Sequence, residues 1–491
     1  MRFEFPEVRS VMKLIARMLA VMAVLLAPMQ GVVVAAEKEW TFMVFINADN
    51  NLDEYGVADQ EEMAVVGSSD RLDIVTLIDR YAGPATMNHI EKGRITKLSD
   101  EGELDMGDWR ELVRFAKTAM ARFPAKHYAL VVWNHGAGWK LKGAALKGIS
   151  YDDSSNNHIT TNQLGDAMRE IRDVTGRNID LFCMDACLMQ MFEVVWAVRD
   201  ACDYIVASEE TVPGDGYPYT DVLRALKPGM GPVEFGTALI NAFRLVYRHD
   251  VPQEGPWEIR RAERVVKRTT MSLLDTALLP ELKDRLDGVC DAIMAGNHAA
   301  ALNAALKKAE HFSYYDNVDL KDLLDILKSN VKDPAVLGAI AKFNESFKRT
   351  ILANGTTGTT DDGETPGGDD SDWLTGRWPM PISATGLAIY FPEKASNYSP
   401  AYDDLEFAAV SRWDEMLADH FRKTAAGRVA ADLERGSLDA LRDQLRETGS
   451  LARETGRAAA AAAAFRLHTE GGLTPSMAVE ARSLIDSLRA R

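Results

Sequence analysis

The sequence predicts an open, mostly parallel α/β sheet flanked by helices. Five short runs are continuously apolar rather than alternating, which suits strands buried on both faces. Amphipathic helical patterns separate these runs. Strand, helix and strand in repeated succession is the pattern of parallel crossovers.

The five expected strands are 41-TFMVFIN-47, 73-DIVTLID-79, 127-HYALVVWN-134, 178-NIDLFCMD-185 and 203-DYIVASE-209. Helices are expected over 52–65, 107–122, 160–175 and 188–200. From about 220 to 350 the pattern turns mostly helical, and HFSYYDNVDLKDLLDIL at 311–327 reads as one amphipathic helix. This predicts a helical insertion over about 255–350. The stretch 353-ANGTTGTTDDGETPGGDDSD-372 has almost no apolar side chains to bury, so a mobile acidic loop is expected. A further strand, 386-GLAIYFP-392, and a helix over 404–421 follow. The main domain is thus read as 37–422, with its core in 37–250 and 385–420. The remainder, 423–491, is charged and Ala-rich and should form a helical C-terminal extension whose role is unreadable.

Residues 1–36 read as a leader. Arg9, Lys13 and Arg17 precede MLAVMAVLLAPMQGVVVAA, and a charged EKEW follows. A basic lead, an apolar core and a small-residue exit describe a secretory signal peptide, with cleavage expected after Ala36. An uncleaved anchor is the alternative, because the apolar run approaches spanning length. Pro28 and Gln30 interrupt that run and favour cleavage, so export without stable membrane insertion is expected.

Formal charge is −17, from 56 basic and 73 acidic residues. Nucleic-acid binding by a basic face is therefore not expected. Four cysteines are too few for a disulfide framework in a chain of 491 residues. Cys202 and Cys290 could pair, although nothing demands it.

In an open α/β sheet the functional crevice lies beyond the carboxyl ends of the strands. Two motifs fall there. One expected strand ends at 134-NHGAGW-139 and another at 185-DAC-187. Cys183 lies inside its strand, where a thiol is a small inert hydrophobe. Cys187 stands just past the end, and a helix starting directly after it would lower its pKa. A thiolate is a strong nucleophile, and His135 could protonate a leaving amine. Gly136 permits a close backbone approach, so its amide and that of Cys187 could form an oxyanion hole. The 52 residues from His135 to Cys187 match the roughly 50 by which caspase-type peptidases separate the pair. Zinc fits poorly, since only one cysteine and one histidine reach the crevice.

Substrate choice would come from 208-SEETVPGDGYPY-219, on which Ser208, Thr211 and Asp215 are candidate contacts, together with Asp185. Carboxylates beside a nucleophile can pair with an Arg or Lys side chain. On sequence alone, Asp185 ordering a turn and Asp215 facing solvent stands equally open.

Taken together, NHGAGW, DACLMQMFEV, SEETVPGDGYPY, 47-NADNNLDEY-55 and GLAIYFP resemble the clostripain family. The resemblance covers about 38–250 and 385–420. It implies a caspase-like fold and a secreted cysteine endopeptidase cutting protein or peptide chains after Arg or Lys. It implies Cys187 as nucleophile, His135 as acid and base, Gly136 and Cys187 as oxyanion donors, and Asp185 and Asp215 as pocket acids. Calcium is the cofactor it implies, with Asp152 and Asp153 as carboxylates near enough to consider. Self-cleavage between His135 and Cys187 is expected at Lys147, with Lys140 and Lys142 nearby. A peptidase of different side-chain preference, or a binding protein on the same fold with a vestigial site, remains the alternative.

Overall fold

A computed structural model describes residues 37–139, 148–247, 269–357 and 384–434, with side chains described to residue 425. The chain divides into two units, Met1–Glu37 and Lys38–Arg491, and all described residues but Glu37 belong to the second. The leader, Lys140, Lys142 and Lys147, the stretch 358–372 and the tail beyond 434 lie outside the described residues.

Nine strands form the main sheet, in the order β12-β10-β9-β8-β5-β1-β2-β3-β4. They are β1 (Lys38–Ala48), β2 (Leu72–Arg80), β3 (Gly83–Glu91), β4 (Arg94–Gly102), β5 (Ala125–Trp133), β8 (Ile179–Asp185), β9 (Cys202–Ala207), β10 (Thr269–Asp275) and β12 (Ile351–Thr357). The five central strands, β9-β8-β5-β1-β2, are mutually parallel and are the five expected from the sequence. Two small sheets stand apart: β6 (Gly148–Asp152) with β7 (Asn157–Thr160), and β11 (Asn317–Asp319) with β13 (Ala388–Tyr390).

Side chains of the central strands alternate between two cores, as the twofold period of a strand requires. Phe42, Val44 and Ile46 of β1, Val131 and Trp133 of β5, and Leu181 and Cys183 of β8 face one core. Helices α1 (Asp53–Val66), α5 (Tyr219–Ala225) and α6 (Pro232–Tyr247) cover that face. Met43, Phe45, Leu130, Val132, Phe182 and Met184 face the other. It is covered by α2 (Trp109–Arg122), α3 (Thr161–Thr175) and α4 (Phe192–Val198). Helix α3 starts where Thr160 and Gln163 form a reciprocal capping box, and ends at Gly176 in the left-handed region.

The remaining helices are α7 (Leu279–Ala295), α8 (Ala299–Leu306), α9 (Leu320–Asn330), α10 (Pro334–Thr350), α11 (Glu406–Val410) and α12 (Trp413–Glu434). Among the described residues no helix is long and apolar enough to cross a membrane.

Four expectations need correction. The 255–350 region is not purely helical, because β10 extends the main sheet antiparallel to β9. Residues 351–357 form the edge strand β12, paired antiparallel with β10, although 353 onward reads as loop. Main-chain pairing with β10 holds that strand, with Ile351 and Ala353 packing against the two cores. The 311–327 stretch becomes helical only at Leu320, where the Asp319 carboxylate accepts from the amide of Asp322 and caps α9. The strand expected at 386–392 shortens to β13 and joins β11 rather than the main sheet.

Candidate active site

Strand register sets the site. Trp133 of β5 pairs with Asp185 of β8. His135 and Cys187 each lie two residues beyond that pair, at the ends of adjacent parallel strands, which run about 4.8 Å apart. Within 181–190 only Cys187 reaches the surface; its neighbours are buried.

Gly136 is a glycine because nothing larger fits. A Cβ there would stand 2.4 Å from the carbonyl oxygen of Cys187 and 3.0 Å from its nitrogen. The loop after β5 is thus pressed onto the backbone of the cysteine. The amides of Gly136 and, at 3.2 Å, Val212 both donate to the Cys187 sulfur.

The environment of that sulfur differs from the sequence expectation. No helix begins at Leu188, which has φ of 64°; α4 starts at Phe192. Burial therefore dominates and pushes the Cys187 thiol up to about 11, against the pull of the two amides. Nearby Glu210 and Asp185 push the same way. Cys183 is fully buried, with its thiol pushed up by desolvation, as befits a core residue. Cys202 and Cys290 are buried and unbridged.

His135 is half-buried, and its Nε2 lies 2.7 Å from the Oδ1 of Asn51, in the turn after β1. Asn134, beside it, is locked by its side-chain amide to Asn47 O and Tyr151 O and accepts from Tyr151 N.

Asp185 follows the twofold period of β8 and points toward the α1–α5–α6 side. Its Oδ2 accepts from Tyr217 N at 2.9 Å and Tyr219 Oη at 3.0 Å. Its Oδ1 is buried without a partner, and burial pushes the carboxyl up to about 7. Gly216 (φ 57°) makes room for it, since a Cβ there would lie 2.8 Å from Oδ2. Asp215, partly exposed, sits next in the chain. Asp59 of α1, buried, accepts from Trp133 Nε1 at 2.7 Å. Burial and the neighbouring Asp185, Glu62 and Asp215 charges hold its carboxyl well above the usual range.

The loop after β9 is stitched to the Cys187 turn by Leu188 N to Glu210 O and Gln190 N to Ser208 O. Ser208 is fully buried, and its hydroxyl bonds Glu210 O, Glu210 N and Thr270, so it shapes the loop from inside. Thr211 is partly exposed, and its amide donates to Glu210 Oε1. The same Glu210 oxygen accepts from the amide and hydroxyl of Ser313. Adjacent Tyr314 is pushed up by burial and by the nearby Cys187.

Among the described residues no group of three or more His, Cys, Asp or Glu side chains could hold a metal ion. The Asp152 oxygens already accept from the amides of Met106 and Ser155.

The sequence reading brings together His135, Gly136, Asp185 and Cys187, with Asp215 at the rim. It passes over Asn51, Asp59, Val212 and Tyr219. Asn51 does lie in the quoted NADNNLDEY stretch, but only the sheet order sets the end of β1 beside that of β5.

The clostripain family profile matches residues 44–420. Clostripain of Hathewaya histolytica is 29% identical over 227 residues, which is 39% of this chain and 43% of that protein. The match thus spans less than half of that relative's length. A secreted C11 cysteine protease from Bacteroides thetaiotaomicron, solved with an irreversible peptide inhibitor, has a TM-score of 0.56 and 19% identity over 77% of this chain and 100% of its own. An inactive zymogen C11 protease from Parabacteroides distasonis gives 0.56 and 19% over 77% and 99%. At that identity the two structures share the fold.

Proposed function

The chain belongs to the clostripain family, and from that premise we propose that it is an exported cysteine endopeptidase cutting after Arg or Lys. The observation that carries this reading is the pairing of Trp133 with Asp185, which puts His135 and Cys187 side by side at adjacent strand ends. The tight seat of Gly136 on the Cys187 backbone supports it.

The chemistry follows from the thiol's environment. Because burial holds Cys187 protonated, His135 takes the proton as sulfur attacks the substrate carbonyl. Amides of Gly136 and Cys187 receive the oxyanion. His135 then returns the proton to the departing amine, leaving an acyl-enzyme. Water, deprotonated by His135, attacks the acyl carbon and releases the new carboxyl terminus, and the thiol recovers its proton.

Preference for a basic side chain rests on Asp185. Its unpartnered buried oxygen is an acceptor without a donor, and a guanidinium or ammonium would supply one. Asp215 at the rim would add attraction. Export rests on the leader pattern of residues 1–36 and is in line with the secreted relative from Bacteroides thetaiotaomicron. Activation by self-cleavage at Lys147 is proposed because that lysine lies in the chain between His135 and Cys187, directly before Gly148 at the start of β6. Calcium has no assigned ligands here and enters no step.

The test is hydrolysis of short fluorogenic peptides with Arg, Lys, Asp or Ala before the scissile bond, with Cys187→Ala as control. Cleavage after Arg and Lys, abolished in the variant, is the expected result. A folded, fully incubated chain that cuts none of them would overturn the reading in favour of a binding protein.

A further inference from the structure

We infer that Asn51 is a positioning residue for His135, completing a Cys–His–Asn arrangement; this rests on the Cys187–His135 site proposed above. The sequence reading assigns no third residue to that site.

The turn that presents Asn51 is firmly built. After β1, Asn50 Oδ1 accepts from Leu52 N at 2.8 Å and Asn50 Nδ2 donates to Tyr151 O at 2.8 Å. Asp53 N donates to Asn50 O at 3.2 Å, where α1 begins. Asn50 thereby holds the turn, and Asn51 is the residue it leaves at the surface. Its Oδ1 meets His135 Nε2 at 2.7 Å, the short end of the N–H···O range.

The chemical consequence concerns the tautomer. An amide oxygen only accepts, so the bond places a hydrogen on Nε2. In the neutral ring the other nitrogen, Nδ1, then carries the lone pair and is the atom that takes the Cys187 proton. Once Nδ1 is protonated, Nε2–H becomes a stronger donor and Asn51 stabilises the imidazolium. A third group that fixes the base's ring and tautomer is how such sites generally work. Asn51 does this without a charge, which suits a site already crowded by Glu210 and Asp185.

The test is a pH profile of kcat and KM for the full chain on an Arg peptide. It compares the unchanged protein with Asn51→Ala, Asn51→Asp and Asn51→Gln, each checked for a wild-type thermal melt. Loss of kcat by ten- to a hundredfold in Asn51→Ala is expected, with KM within about twofold. The histidine limb of its profile should move to lower pH, because the imidazolium has lost an acceptor. In Asn51→Asp that limb should move to higher pH, with kcat partly restored. Unchanged kcat and an unmoved limb in Asn51→Ala, while Cys187→Ala and His135→Ala are inactive, would overturn the assignment and spare the proposed site. Activity persisting in Cys187→Ala or His135→Ala would overturn both. Should Asn51→Ala melt early, Asn51→Gln decides: it keeps the amide but displaces it by one methylene. A normal melt with reduced kcat and a shifted limb upholds the assignment, and full activity overturns it.

Discussion

The backbone N–H of Val212 donates to the sulfur of Cys187 across 3.2 Å, joining the loop after β9 to the turn after β8. That contact and the Gly136 amide favour a thiolate, yet burial outweighs them and the thiol stays near 11. A thiol held protonated at neutral pH has a direct consequence. Alkylation of Cys187 by iodoacetamide should be slow at pH 7 and accelerate steadily toward alkaline pH. Glu210→Gln removes one negative neighbour and should raise the rate at pH 7 several-fold. Rates taken from mass-resolved labelling of Cys187 check this; a rate already maximal at pH 6 would contradict it.

Tyr314 lies near the same sulfur, on the segment whose Ser313 bonds Glu210. Tyr314→Ala should expose the thiol and speed its alkylation without lowering the thermal midpoint by more than a few degrees. A labelling rate equal to that of the unchanged chain would show that the ring does not shield the site.

Asp185 supplies a stability signature. Its folded carboxyl, near 7, lies above an unfolded value of about 3.9. The folded chain therefore holds this proton more tightly, so stability falls as pH rises from about 4 through 7. Asp185→Asn removes that dependence and keeps an acceptor for Tyr217 and Tyr219. It should be more stable than the unchanged chain at pH 8, by on the order of 2 kcal/mol, and nearly equal at pH 4. Urea titrations at the two pH values measure it.

If Asp185 receives the basic side chain as proposed, specificity should depend on pH. Below about 7 the Asp185 carboxyl is neutral and attracts a cation weakly. KM for an Arg peptide should rise as pH falls through 7, and Asp185→Asn should abolish that rise while weakening Arg and Lys peptides at all pH values. Parallel KM curves for the two proteins would refute the pairing.

Gly136→Ala places a methyl 2.4 Å from Cys187 O, against backbone that cannot yield cheaply. The expected loss is about 1–3 kcal/mol of stability together with most of the activity. Gly288→Ala, inside α7 with open space at its Cβ position, is the control and should leave activity unchanged and raise stability by up to about 1 kcal/mol.

Much of this was legible. The five parallel strands announce themselves because each is buried on both faces, so apolarity runs unbroken through FMVFI, ALVVW and LFCM. Other strands were hidden for equally physical reasons. The hairpin β3–β4 turns at Lys92-Gly93, but β4 is largely exposed and reads as polar. Strand β12 owes its place to backbone pairing with β10, and the residues from 353 onward carry no apolar signal. The strand-end positions of His135, Gly136 and Cys187 were legible because each stands where an apolar run stops.

By itself the sequence determined which segments must be buried and which residues, a single thiol among them, stand at the strand ends. Only the tertiary structure decided the thiol's protonation and the company it keeps. Burial and neighbouring charge depend on what packs in from elsewhere, and the 208–212 loop, the 311–316 segment and Asn51 all come from distant parts of the chain. Sheet order brought Asn51 to His135 across 84 positions of sequence. No local pattern encodes that distance, because it is fixed by which strand lies beside which.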